Sequence, residues 1–114
     1  MHVWDDIRKL IKKIYLITHE FPESEKFGII NQMRRASISV GANLVEGSAR
    51  KGAKDQAHFY QISFSSLMEL LSLLILSKDL NFIIDDIYYE MRNEIEKIGF
   101  KLNSLRNKSL TRTN

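Results

Sequence analysis

Polar side chains able to exchange hydrogen bonds recur at steps of three and four residues along one stretch of the chain. The row consists of Gln32, Arg35, Ser39, Asn43 and Glu46, with Ser66 and Glu69 on a later stretch. On a helix this spacing places side chains in one line. Because Arg35 and Glu69 can form a charge-assisted hydrogen bond between two helices, we predict a buried network that fixes helix register. A ligand or partner site is the alternative.

Basic side chains suggest a second kind of chemistry, the binding of phosphate groups. The chain has 17 Lys and Arg against 14 Asp and Glu, a net charge of +3, and no acidic residue after position 96. Such a surface binds nucleic acid in a salt-dependent and mostly sequence-independent way. The candidate residues are Arg34, Arg50, Lys51, Lys54, Lys101, Arg106 and Lys108. We expect the first four to cluster near one end of the molecule.

Residue patterns for catalysis or metal binding do not occur in the sequence. None of the three histidines, His2, His19 and His58, follows a glutamate by three residues, as a metal site in a helical bundle would need. The absence of cysteine excludes thiolate chemistry and Cys-ligated zinc. We find no Ser–His–acid arrangement and no glycine-rich phosphate loop. We therefore predict no metal, no cofactor and no enzymatic activity.

A remote enzymatic alternative is a small helical-bundle ribonuclease of the HEPN kind. The motif of those ribonucleases is an arginine followed by a histidine after four to six intervening residues. Here seven residues separate Arg50 from His58, and Gly52 lies between them. The two side chains would therefore straddle a turn, and the alternative is disfavoured.

The elements that carry these residues are predicted to be helices. One proline and five glycines in 114 residues leave too few turn residues for a sheet of short strands. The three-four spacing of apolar residues predicts helices at about 3–19, 23–50, 55–79 and 85–107, followed by a frayed tail at 108–114. Short connections then give one all-α domain over 1–114, an antiparallel up-down-up-down four-helix bundle.

The third predicted helix is apolar around almost its whole circumference. A helix of this kind is central in a bundle or shared with another subunit, and we expect both, so the chain should form a homo-oligomer. The longest apolar run, Leu70 to Leu76, contains Ser72 and is shorter than the ~20 residues that span a membrane. We predict no membrane segment. Early charges in the sequence argue against a signal peptide, and a chain without cysteine suits the cytoplasm.

Two segments resemble a known family. Residues Phe21–Gly47 read FPESEKFGIINQMRRASISVGANLVEG, and residues Phe59–Leu70 read FYQISFSSLMEL. Both resemble the small four-helix-bundle family named after proteins encoded in intervening sequences of bacterial 23S ribosomal RNA genes. The likeness extends over nearly the whole chain. The departures from the family pattern are Gly41, Ser63, Ser65 and Leu71.

This resemblance implies a homopentameric helical bundle that works in an RNA or reverse-transcription context. The chain is also similar to accessory proteins of diversity-generating retroelements, which act beside a reverse transcriptase and nucleic acid. Two hypotheses follow. In one, the protein is a basic oligomeric accessory protein that binds RNA or DNA. In the other, it is a structural or protein-interaction module, and its charge serves only solubility.

Overall fold

Four long helices account for most of the chain. A computed structural model describes residues 2–112, and in this part of the chain the helices are α1 (His2–His19), α2 (Ile29–Ala49), α3 (Ala53–Asp79) and α4 (Asp85–Thr111), with one 3₁₀ turn at Glu23–Glu25. No strand occurs among the described residues. The predicted all-α class and four-helix bundle are confirmed.

The helices run antiparallel to their sequence neighbours. The hydroxyls of Ser39 in α2 and Ser66 in α3 lie 2.7 Å apart near the middle of both helices. Near the end of the same pair, Gly47 of α2 faces Tyr60 of α3. Lys101 from the last part of α4 forms an ion pair with Asp6 of α1. The topology is therefore up-down-up-down, with α1 diagonal to α3.

The core follows from the apolar stripe that each helix presents to the other three. Its largest side chains, each less than 2% exposed, are Ile7, Leu10, Ile14, Met33, Leu44, Leu67, Leu70, Leu74, Met91, Ile95, Ile98 and Leu102. Helix α3 forms the most extensive contacts, with α2 on one side and α4 on the other. This central position accounts for most of the apolar circumference of α3.

Helix α2 begins six residues later than the sequence predicts. Backbone bonds span only three residues from Pro22 onward, as in the bond from the Glu25 N–H to the Pro22 carbonyl, 2.9 Å. Regular helical bonding starts only after Gly28, whose ψ of −114° is not helical. The tight turns leave Phe27 88% exposed, outside the apolar stripe of α2.

Helix α4 is longer than predicted. Residues 108–111 are helical, and Ser109 is buried, so the frayed tail predicted from residue 108 is wrong for this part. The Ser109 hydroxyl donates a hydrogen bond to Oε1 of Gln56 in α3, 2.6 Å away. This contact joins the end of α4 to α3 and, with the Leu105 carbonyl 3.1 Å away, gives the buried hydroxyl its hydrogen-bond partners. Residues 113 and 114 of the predicted tail lie outside the described residues.

Helix α3 has the length and composition of a membrane span when it is considered alone. Its most apolar window has a mean hydropathy of 1.5, and a third of that window is buried within the bundle. The core helix of a soluble protein can have the same length and hydropathy. Helix α3 also has buried serines, Ser63 and Ser77, whose hydroxyls donate to the Val40 and Leu73 carbonyls at 2.7 Å and 2.8 Å.

Candidate nucleic-acid interface

One end of the bundle brings the α2–α3 connection next to the end of α4. We call it the basic end and define it by Arg50, Lys51, Lys54, Lys108 and Arg112. A guanidinium nitrogen of Arg112 lies 3.4 Å from the Lys51 carbonyl, to which it donates. The two segments, 61 residues apart in the sequence, therefore form one surface. Arg112 is not among the candidate residues predicted from the sequence.

Three of the predicted basic residues at this end have free, exposed side chains. Lys51, Lys54 and Lys108 are all exposed, and within residues 2–112 none of them lies within 4 Å of a carboxylate. A lysine in this setting keeps its ammonium group available to a phosphate. Lys51 and Lys54 lie on the α2–α3 connection and its first helical turn, while Lys108 lines a groove of α4 beside His2 and Val3 of α1.

Arg50 lies at the same end but is engaged within the chain. Its guanidinium pairs with Glu46 at 3.1 Å and with Asp55 at 3.6 Å. It also lies over the Phe59 ring, 4.6 Å from the centroid. These contacts orient Arg50 across the α2–α3 connection, so it rigidifies the loop that carries Lys51.

Lys101 and Arg106 lie on α4 toward the basic end, and each contacts another helix. Lys101 pairs with Asp6 of α1, and Arg106 donates to Gln61 of α3. Both residues therefore hold helices together. The pKa of the nearby Tyr60 hydroxyl is raised above its ordinary value by burial, and the positive charge of Arg112 offsets only part of this rise.

Arg34 lies toward the other end of the bundle. Its Nε donates to the Thr18 hydroxyl at 3.0 Å, and its guanidinium stacks on the Tyr15 ring at 4.6 Å. Helix α2 rises ~1.5 Å per residue, so about 25 Å of helix separates Arg34 from Lys51. The expectation that Arg34 clusters with Arg50, Lys51 and Lys54 is wrong, because Arg34 lies in the first part of α2 and the other three follow its last residue, Ala49.

The end of the bundle opposite the basic end is acidic. It comprises the connections α1–α2 and α3–α4, which are joined by the Phe21 and Phe82 rings, 5.3 Å between centroids. The acidic side chains of these connections and their flanking turns are Glu20, Glu23, Glu25, Asp79, Asp85 and Asp86. These six carboxylates outnumber the two lysines of the same segments, Lys26 and Lys78, so negative charge predominates at this end.

The predicted polar network is only partly formed. Ser39 bonds Ser66 across the helices, and the Asn43 amide donates to the Ser39 hydroxyl at 3.1 Å. The remaining members, Gln32, Arg35, Glu46 and Glu69, are exposed in the single chain. Arg35 and Glu69 line the same groove but form no ion pair with each other, so the prediction of a network buried within one chain is wrong for these four residues.

The pair of residues considered for ribonuclease chemistry, Arg50 and His58, meets at the Phe59 ring. His58 is exposed and contacts the ring edge-on at 5.6 Å, while Arg50 stacks on it. The arginine is already held by two carboxylates. Within residues 2–112 no group of three or more His, Cys, Asp or Glu side chains has the arrangement of a metal site.

The fold defines the class of this protein, a small antiparallel four-helix bundle with exposed basic residues at one end. A family model described as 23S rRNA-intervening sequence protein matches residues 1–104. The chain belongs to this family.

The fold is similar to that of a solved structure. This is a crystal structure of a protein of unknown function from the S23 ribosomal protein family of Bacteroides thetaiotaomicron. The two chains share 22% sequence identity, and the alignment covers 91% of this chain and 97% of the other, with a TM-score of 0.82. At this identity the likeness shows the fold. No curated protein matches the sequence significantly.

Proposed function

We propose that this member of the 23S rRNA-intervening sequence family is a non-enzymatic, self-associating accessory protein that binds nucleic acid through its basic end. The observation that supports the proposal most directly is the exposure of Lys51 and Lys54 at the α2–α3 connection and of Lys108 near the end of α4. All three are exposed and lie in no ion pair among residues 2–112. Side chains of this kind bind the phosphate backbone and release its counterions.

Self-association multiplies the effect of this small patch. A single copy presents only a few free cations, and each phosphate contact contributes modestly to affinity. Copies arranged with their basic ends on one side would join these patches into one positive surface, and linked contacts raise the overall affinity by orders of magnitude. The family resemblance implies five copies.

The cellular setting also belongs to the proposal. The family description refers to an intervening sequence of 23S rRNA, which favours RNA as the nucleic acid. A reverse transcriptase as protein partner rests on the likeness to retroelement accessory proteins. The chain contains no cysteine, which suits action in the reducing cytoplasm.

The test compares two double variants with the same net charge. Lys51→Ala/Lys54→Ala removes two cations from the basic end, and Lys12→Ala/Lys26→Ala removes two exposed cations elsewhere. Filter binding of a structured RNA over a salt series measures both affinity and the number of phosphates that the protein neutralises. We expect the first variant to lower the slope of log K against log[salt] by about 1 for each phosphate that it leaves unneutralised, while the control keeps the parent slope.

Two results would contradict the proposal. Equal weakening by both double variants would show that only net charge matters and that the basic end is not an interface. Absence of RNA retention by the parent at low salt would leave the structural or protein-interaction module as the better hypothesis. Exposed apolar residues at the acidic end favour that second candidate, since Phe27, Leu80 and Ile84 are all more than half exposed.

A further inference from the structure

Helix α2 has an outward surface with no cover in the single chain. We call it the outer face of α2 and define it by Asn31, Arg35, Ile38, Ala42, Val45 and Ala49, which are all exposed. The sequence spacing between successive members alternates between four and three residues, which is the spacing of residues through which one helix packs along another. They lie opposite the stripe of α2 that forms the bundle core, which contains Met33, Val40 and Leu44.

The composition of this face is unusual for a surface in contact with water. Ile38 and Val45 are each 47% exposed, and Ala42 between them is too small to keep another helix at a distance. From Ile38 to Ala49 the face has no charged residue, although a solvated helix face is normally rich in charges. An apolar strip of this length on a helix is typical of a protein contact.

A polar border runs along one side of the strip. The groove between α2 and α3 contains Gln32, Arg35 and Ser39 from α2 and Ser66 and Glu69 from α3. Arg35 and Glu69 are exposed, and within residues 2–112 neither forms an ion pair. An apolar centre with a polar, charged rim is the usual construction of a protein–protein interface.

We propose that a second copy of this chain covers the outer face of α2 and the adjoining groove, and that this contact is the one through which the proposed self-association occurs. The inference rests on that proposed self-association. The groove carries both a free cation, Arg35, and a free anion, Glu69, so two copies can supply each other's missing charge. A nucleic acid is a poor occupant because the strip is apolar and Glu69 repels phosphate.

The dimensions are adequate for a stable contact. The outer face extends over 18 residue steps of α2, about 27 Å at ~1.5 Å per residue. Together with the grooves beside it, which reach Tyr15 of α1 on one side and Glu69 of α3 on the other, the surface is about two interhelical spacings of ~9 Å wide. The projected area of ~500 Å² is of the order of the ~800 Å² of accessible surface that each partner buries in a standard interface.

The first experiment uses the absence of cysteine in the sequence. In Ile38→Cys the new thiol lies on the outer face of α2, and in Phe27→Cys it lies at the acidic end, where the side chain is 88% exposed. Maleimide labelling rates are measured across a protein dilution series, with mass determined in parallel. We expect the thiol at position 38 to react at least tenfold more slowly than the one at position 27 in concentrated protein, and to become reactive as the assembly dissociates.

The outcomes separate this inference from the proposed function. Equal labelling rates in a protein that is assembled would place the contact elsewhere and overturn the inference, while self-association would stand. A mass of one chain at every concentration would overturn both. Protection that persists after the mass has fallen to that of one chain would indicate an occupant other than a second copy, and it would also overturn the inference.

Two substitutions provide an independent measurement. Ile38→Asp should raise the dissociation constant of the assembly by about tenfold or more, as expected for a charge placed at the centre of an interface. Phe100→Asp on α4, where the side chain is 77% exposed, is the matched control and should leave assembly unchanged. Arg35→Met should weaken assembly without changing the unfolding of the isolated chain, because its charge has no partner there. An effect of the control alone would contradict the inference.

Discussion

The two interfaces at opposite sides of the bundle are built differently. Between α2 and α3, side chains interlock closely: Gly47 leaves room for the Tyr60 ring, and the buried Ser63 hydroxyl bonds the Val40 carbonyl. Between α1 and α4, the contact is smaller, and ion pairs along its edge supplement the apolar packing. Lys13 pairs there with Glu90 and Glu94.

This difference indicates which side of the bundle resists unfolding. Close packing stabilises through apolar burial that salt does not weaken. Partly exposed ion pairs contribute little each and are screened by salt. The hydrogen bond to the Glu94 carboxylate raises the pKa of Lys13 above its ordinary value. We infer that α2 and α3 form the stable half of the molecule, and α1 is held more weakly.

The largest effect should come from a cavity in the well-packed half. Leu67 of α3 is fully buried and lies beside Gly99 of α4. Leu67→Ala should lower the free energy of unfolding by about 2–5 kcal/mol, because the surrounding side chains relax only partly into the space. Urea denaturation followed by circular dichroism measures the change. Leu76→Ala, about half exposed on the same helix, is the control, and a loss as large there would show that the effect does not come from a cavity in the core.

A smaller effect should come from overfilling the same half. A Cβ atom at Gly47 would lie 2.7 Å and 2.8 Å from ring carbons of Tyr60, which is itself buried. Gly47→Ala should therefore cost about 1–3 kcal/mol in strain, partly offset by the helix propensity that alanine gains, ~1 kcal/mol. Thermal unfolding provides the measurement. The control is Gly52→Ala, where no atom lies within 4 Å of the added carbon; a stabilised Gly47→Ala variant would mean that Tyr60 moves freely.

The smallest effect belongs to the α1–α4 side. Lys13→Met removes the cation that pairs with Glu90 and Glu94. We expect a loss of about 0.2–1 kcal/mol in unfolding free energy at low salt, and a smaller loss at ~1 M salt, where the Debye length is about 3 Å. Lys12→Met, an exposed neighbour on the same helix, controls for the change in charge. A salt-independent loss would contradict the electrostatic account of this interface.

The sequence predicted the helices well where apolar spacing and turn residues agree. Helix α1 and the first residue of α4, Asp85, match the predicted bounds closely. The start of α2 was wrong because Pro22 and Ser24 are both acceptable first residues of a helix. The chain uses them in a 3₁₀ turn that brings Phe21 against Phe82, and this pairing joins residues 61 positions apart, so local sequence does not reveal it.

For the candidate sites too, the sequence predicted neighbours that are close along the chain better than contacts between helices. The predicted patch at Lys51 and Lys54 holds together because the two residues are close in sequence, whereas Arg34 was misplaced because an antiparallel bundle sends the two ends of one helix to opposite ends of the molecule. Ser39 and Ser66 meet as expected. Arg35 and Glu69 stay exposed, because the spacing along a helix gives a side chain's direction but not the depth of the groove it points into.

The all-α class and the apolar stripe of each helix can be read from the amino-acid order, because backbone hydrogen bonding and hydrophobic periodicity are local properties of the chain. Which charges are engaged in ion pairs and which remain free depends instead on the assembled bundle. The same is true of the uncovered outer face of α2. These features follow from which helices are neighbours and at what height they meet, and that is set by the packing of the whole core.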